Sequence, residues 1–88
     1  MAMKRIVESE DVSGFEALLG ERVLLLCANY FYTGKLVGVN KDHLELEDAA
    51  IVYETGEWSA KEYKDVQKLH TKRWNVAIAA VESYGASK

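Results

Sequence analysis

Apolar and polar residues form three consecutive strand-like segments in the first half of the chain. The first segment, residues 21–28, is almost continuously apolar, which predicts a strand that is covered on both faces. A second, largely apolar segment spans residues 30–39. The third, residues 43–53, places Leu44 and Leu46 on one face and glutamates on the other, with the period of two that is typical of a half-buried strand.

Two glycines, Gly34 and Gly38, lie inside the second segment. A glycine within a strand marks a sharp bend or a close backbone approach, because no side chain obstructs it. The apolar patterns of residues 66–72 and 75–81 predict a fourth and a fifth strand. We therefore predict an all-β fold, a small five-stranded and strongly bent antiparallel barrel.

A short N-terminal α-helix is predicted ahead of the first strand. The residues SGFE at 13–16 fit a capping box, and Gly20 is a natural helix stop. A helix this short requires support from the barrel. The predicted organisation is a flexible arm over residues 1–12, one barrel domain over 13–84, and a tail over 85–88.

The amino-acid composition adds one prediction to this fold, namely that the protein associates with copies of itself. The chain has 88 residues, enough for one domain, and 49% of them are hydrophobic, which is more than a small monomer easily buries. The net charge of −3 argues against a uniformly basic surface but permits a local basic site.

The cellular location follows from the cysteine content and from the absence of a targeting signal. The single cysteine, Cys27, lies in an apolar segment, which predicts a buried free thiol and a reducing compartment. No segment reaches the roughly 20 apolar residues that cross a bilayer, and the N-terminus does not read as a signal peptide. We expect a soluble, cytoplasmic protein.

The first three segments carry a motif. Its positions are occupied by Tyr32, Gly34, Leu36, Gly38, Val39, Asn40 and the ending Leu46-Glu47-Asp48. In this arrangement the chain resembles the first motif of the Sm and Sm-like (LSm) protein family, as a divergent member. Asn40 stands where the family usually has Asp, and His43 falls where its base-reading Asn is expected.

A second Sm motif is matched in its apolar pattern only. Residues 73–79, RWNVAIA, lack the family's Arg-Gly pair. One alignment places Arg73 at the position of the family's Arg. An alternative register places Ala79 and Ala80 there and leaves no cation at that turn.

The resemblance implies an assembly and a ligand. Sm-like proteins form closed homo-oligomeric rings of about five to seven or more subunits, in which the fourth strand of one subunit pairs with the fifth strand of its neighbour. The family binds single-stranded RNA around the central pore through two turns, one between strands two and three and one between strands four and five. The implied role is RNA processing, protection or chaperoning.

The residues near these turns have the chemistry that RNA binding requires. Proteins that bind single-stranded nucleic acid combine cations for phosphates with flat side chains on which bases stack. The expected RNA-binding residues are Asn40, Lys41, His43, Lys72, Arg73, Trp74 and Asn75, with Lys68 and His70 as additional basic contacts. On a continuous strand, Lys68, His70 and Lys72 would share one face.

Other interpretations of the same residues remain open. A row of cations on an edge strand also protects against misassembly. The competing interpretation is a structural or protein-interaction ring scaffold that binds no nucleic acid. A third interpretation, less favoured, is a monomeric barrel that binds a peptide at an open sheet edge. DNA is an alternative to RNA, because no residue is evidently dedicated to the 2′-hydroxyl group.

No catalytic function is predicted. The chain has no nucleophile elbow, no phosphate-binding Walker loop and no HExxH segment. Two histidines without a ligand spacing do not predict a metal site. We therefore expect a protein that is not an enzyme and that requires neither a cofactor nor a metal.

Overall fold

The structure, a computed structural model that describes residues 14–88, is one antiparallel sheet of six strands. The strands are β1 (Arg22–Cys27), β2 (Phe31–Val39), β3 (His43–Glu54), β4 (Asp65–Lys68), β5 (Trp74–Ala77) and β6 (Val81–Ala86). Their order in the sheet is β4-β3-β2-β1-β6, and β5 also pairs with β3. The predicted all-β fold with antiparallel pairing is confirmed.

The predicted five-stranded barrel is wrong in its strand number and in its closure. The expected fourth strand, residues 66–72, ends at Lys68. Shortly after it, His70 adopts φ 55°, a left-handed conformation that interrupts a strand. A short 3₁₀ helix, Ile78–Ala80, divides the expected fifth strand, residues 75–81. As a result β4 and β5 pair with different halves of β3, β6 pairs with β1, and the sheet stays open.

The predicted N-terminal α-helix is also wrong. Gly14–Leu18 forms a 3₁₀ helix, and the part of the chain from residue 14 onward contains no α-helix. Gly14 has φ 63° and Gly20 has φ 88°, so the segment lies between two left-handed residues and is too short to sustain an α-helix. The Phe15 ring packs against Tyr84, with the ring centroids 4.1 Å apart. Ser13 of the predicted capping box and the predicted arm over residues 1–12 lie outside the described residues.

The sheet is irregular at both glycines of β2. The pairing register of β2 with β3 shifts beside Gly34 and again beside Gly38. A Cβ atom at Gly34 would lie 3.2 Å from the Cα atom of Ala49 and 3.2 Å from the carbonyl oxygen of Glu47. A Cβ atom here would force its neighbours to shift by a few tenths of an ångström, so the close backbone approach favours glycine, in agreement with the interpretation of the sequence.

The core is formed mainly by side chains of β1, β2 and β3. It is formed by the buried residues Val23, Leu25, Cys27, Leu36, Leu44, Leu46, Ala49 and Val76. Leu44 and Leu46 are buried while the glutamates between and after them face outward, and Cys27 is a buried free cysteine, as the sequence predicts. β6 runs to Ala86, so strand pairing extends beyond residue 85, where the tail was expected to begin.

Candidate nucleic-acid interface

Three of the predicted site residues, Asn40, His43 and Arg73, meet around the carboxylate of Glu45 on β3, and His43 Nε2 lies 3.8 Å from Glu45 Oε2. Asn40 Nδ2 lies 3.2 Å from Glu45 Oε2, and Arg73 Nη1 lies 3.3 Å from Glu45 Oε1. Arg73 Nε is also 4.0 Å from Glu47 Oε2. The pairing of β3 with β5 brings Arg73 here, because Trp74 is opposite Leu46. Asn40 and Arg73 are therefore both engaged with acidic side chains.

His43 belongs to the same cluster and has a second acidic neighbour. Its Nδ1 lies 2.9 Å from Asp42 Oδ1, and its Nε2 lies 3.2 Å from Asn40 Nδ2. In the neutral tautomer that satisfies both contacts, Nδ1–H donates to Asp42 and Nε2 accepts from Asn40. The hydrogen bond from His43 lowers the pKa of the Asp42 carboxyl below its ordinary value. The imidazole is held in place by its neighbours, with more than a third of its side chain still accessible.

The remaining predicted basic residues are not on one continuous strand, because β4 ends at Lys68. Lys68 pairs with Asp48, with 3.2 Å between Nζ and Oδ1, and Arg22 pairs with the other carboxylate oxygen at 3.1 Å. The lysine is the first cause of the lowered pKa of Asp48, and the arginine adds to it. Because the strand ends at Lys68, the alternation that would align it with His70 and Lys72 is lost. The prediction of a continuous strand through Lys68, His70 and Lys72 is wrong, and it was the basis for a shared cationic face.

Two predicted cations are exposed and have no acidic partner within residues 14–88. They are Lys41, in the turn between β2 and β3, and Lys72, just before β5. The ion pairs of the described chain are made by other basic residues. Within the described residues, Lys41 and Lys72 are therefore the predicted lysines whose ammonium groups make no ion pair.

The turn that leads into β6 is aliphatic. It consists of Ile78–Ala80, and the Ile78 amide donates to the carbonyl oxygen of Asp42 at 3.0 Å. This bond brings the turn beside the one that contains Lys41. Arg73 lies at the opposite end of β5 from the turn. The turn that leads into β6 therefore contains alanines, and Arg73 lies away from it.

Trp74 and Asn75 line a groove between β5 and the turn that joins β1 to β2. The groove has a volume of about 360 Å³ and is lined by Cys27, Ala28, Asn29, Tyr30, Tyr32, Trp74, Asn75, Val76, Ala77 and Ala80. Trp74 is partly buried and packs against the core. We call this feature the aromatic groove, because Tyr30, Tyr32 and Trp74 form much of its wall.

The tyrosines of the aromatic groove were missed by the sequence interpretation. Tyr30 is 47% exposed and makes edge-on contacts with Tyr32 and Tyr53, each with ring centroids 6.3 Å apart. Burial is the main cause of the raised pKa of Tyr32 and of the raised pKa of the Cys27 thiol. The spacing of two residues between Tyr30 and Tyr32 was the available signal, since alternate strand residues point to the same side.

The comparisons with known proteins add no relative to this picture. No family model, no curated protein and no solved structure matches the chain.

Two further observations concern metals and membranes. Within residues 14–88, no cluster of three or more His, Cys, Asp or Glu side chains is placed to hold a metal ion. The same residues include no helix with the length and apolarity needed to cross a bilayer.

Proposed function

We propose that this protein is a non-catalytic, Sm-like module that binds single-stranded RNA as an assembly of identical copies. The observation that carries the proposal is the aromatic groove, in which Tyr30 and Trp74 offer ring surfaces and Asn75 offers an amide. Stacking of bases on aromatic rings tolerates any sequence, and amides can bind base edges. The module would position or protect RNA during its processing and perform no reaction of its own.

Self-association is supported by the open edges of the sheet. β4 and β6 are the end strands, and each pairs with a single strand in the described chain. Unpaired strand edges readily accept another strand, and a closed ring of copies would cover both edges. Val66 on β4 and Tyr84 on β6 are exposed, at 39% and 41%, which is consistent with such a contact.

The proposed RNA contacts divide into two groups. Bases would stack on Tyr30 and Trp74, while Lys41 and Lys72 would contact phosphates, because these lysines have no acidic partner within residues 14–88. We do not assign phosphates to Arg73, since Glu45 and Glu47 already surround its guanidinium group. Repetition of a modest site around an assembly would raise its affinity through avidity.

A titration with oligo-U tests the proposal directly. The mass of the protein is measured in solution, and binding is followed at two salt concentrations, with the DNA oligomer of the same sequence as competitor. Tyr30→Ala should weaken binding about tenfold or more, because it removes one stacking surface. Trp58→Ala is the matched control, since Trp58 is 66% exposed but lies outside the aromatic groove.

A structural role without nucleic acid is the second candidate. It is favoured by the carboxylates of Asp42, Glu45 and Glu47. These form hydrogen bonds and ion pairs with the side chains that were expected to contact RNA. An assembly that leaves oligo-U unbound at low salt would establish this scaffold role and reject the RNA proposal. A monomer at micromolar concentration would contradict both candidates.

A further inference from the structure

The loop between β3 and β4 encloses the ammonium group of Lys88. Lys88 Nζ donates to the carbonyl oxygen of Thr55 at 3.0 Å and to that of Glu57 at 2.8 Å. It also lies 5.5 Å from the ring centroid of Trp58 and 5.0 Å from that of Tyr63. Two carbonyl acceptors and two aromatic rings around one cation make a recognisable binding site for an ammonium group. We call these four residues the lysine cage.

The lysine cage is held together by the loop itself. The Glu57 carbonyl also accepts from the Ala60 amide at 3.0 Å, which closes a turn and fixes the direction of the oxygen. Thr55 Oγ1 donates to the carbonyl of Gly56 at 3.2 Å. The Ala60 bond does not involve Lys88, and it orients the Glu57 carbonyl oxygen independently of the ammonium group.

The segment that carries Lys88 has further contacts, with β1, with Thr33 and with the hydroxyl of the cage residue Tyr63. The Ser87 amide donates to the Arg22 carbonyl at 2.9 Å, which continues the ladder between β6 and β1. Ser87 Oγ lies 2.7 Å from the Tyr63 hydroxyl and 3.0 Å from Thr33 Oγ1. Removal of the Lys88 charge would therefore empty the lysine cage and leave the end of the sheet in place.

We propose that the lysine cage is a binding site for a primary alkylammonium group, and that Lys88 is its resident ligand, which the lysine side chain of another polypeptide can replace. Both carbonyl oxygens require N–H donors, so the site selects an unmethylated ammonium over a quaternary one. The cage is open to solvent at Trp58, whose 66% exposure gives an incoming side chain access. This site is independent of the aromatic groove and of RNA.

The test uses the full chain with Lys88→Met, which keeps an apolar stem and removes the charge. The probe is Nα-acetyl-lysine methylamide, and binding is followed by the NMR signal of the Trp58 indole N–H. The chain has two tryptophans, so the Trp74 signal in the same spectrum is an internal control. The Trp58 signal should move and saturate while that of Trp74 stays, and the wild type should bind about tenfold more weakly because Lys88 competes within the chain.

Three matched measurements make the outcome decisive. The norleucine analogue of the probe and the probe with a trimethylated ammonium should leave Trp58 unmoved. Trp58→Ala in the Lys88→Met chain, followed by the Tyr63 ring signals, should abolish binding. Equal binding by the wild type and Lys88→Met, or no binding by a folded Lys88→Met chain, would overturn the proposal.

A second readout covers the case in which the methionine variant is unstable. Trypsin can cleave the loop at Lys61 and Lys64, and loss of the Lys88 contacts should expose these bonds. Lys88→Gln should be cut there about tenfold faster than Lys72→Gln, which changes an exposed lysine outside the cage. Cleavage at Lys61 and Lys64 that is unchanged by Lys88→Gln would contradict the site.

Discussion

The two halves of the sheet differ in how they are stabilised. β1, β2 and β3 are six, nine and twelve residues long and contribute nearly all of the buried side chains. β4 and β5 are four residues long, β4 and β6 have no buried residue, and β5 buries Val76 alone. The first three strands hold the core, and the later strands mainly complete the edges of the sheet.

This difference shows where the protein is free to make contacts. β1, β2 and β3 each have neighbouring strands on both sides, whereas β4, β5 and β6 each pair with one strand in the described residues. An edge strand with little burial gains stability when a further strand pairs with it. Association is therefore expected to stabilise the second half of the chain more than the first.

The largest expected effect tests burial in the two halves. Leu46 on β3 is fully buried, and Leu46→Ala should lower the free energy of unfolding by about 2–5 kcal/mol, because it leaves a cavity in the core. Val66 on β4 is 39% exposed, and Val66→Ala should cost less than about 1 kcal/mol. Urea unfolding of both variants measures the difference.

The same pair of variants sharpens the proposal of self-association. If both variants lost the same free energy of unfolding at low protein concentration, the proposed difference between the two halves would be contradicted. A cost of Val66→Ala that grows with protein concentration would show that β4 is covered by another copy.

A medium effect is expected from the glycines. Gly34→Ala brings a Cβ to 3.2 Å from the backbone of Ala49 and Glu47, and should destabilise the fold by about 1–3 kcal/mol through overpacking. Gly85→Ala on β6 meets no atom within 4 Å and should be neutral or stabilising by up to about 1 kcal/mol. Thermal unfolding compares the stabilities of the two variants. A Gly34→Ala chain as stable as the wild type would contradict the claim that β2 needs a glycine at this position.

The smallest effect concerns the ion pairs that join the two halves at Asp48. Arg22 on β1 and Lys68 on β4 both contact this carboxylate, and exposed pairs contribute about 0–1 kcal/mol. Asp48 has φ 54°, a conformation that Asn tolerates, so Asp48→Asn removes the charge without a new backbone strain.

The pH dependence of this effect has a defined sign. The pKa of Asp48 is lowered in the folded chain, so the stabilisation is complete above about pH 4, the ordinary value of an Asp carboxyl, and is lost as the pH falls through the folded pKa. The stability difference between wild type and Asp48→Asn should therefore be present at pH 7 and vanish in acid. Glu62→Gln serves as the control, since Glu62 makes no ion pair within residues 14–88. A difference that persists at pH 2 would exclude the ion pairs as its cause.

The predicted site illustrates how far the sequence can be interpreted. Trp74 and Asn75 line a groove, and Asn40, His43 and Arg73 lie in one cluster, but the pattern did not reveal that Glu45 would occupy that cluster. Residues 40 and 73 are distant in the sequence, and only the pairing of β3 with β5 brings them to the same carboxylate. Charge balance at a site depends on such pairings, which alternation within one strand does not specify.

The sequence by itself determined the all-β class, the three long strands, the inward leucines of β3 and the glycine-dependent irregularity of β2. These features depend on local periodicity and on the size of single side chains, which act over a few residues. The tertiary structure alone decided that His70 would break the fourth strand, that Ile78–Ala80 would separate β5 from β6, and that Lys88 would enter the cage between Trp58 and Tyr63. Those outcomes arise from contacts between distant segments, where the energy of each local conformation is set by the partner it meets.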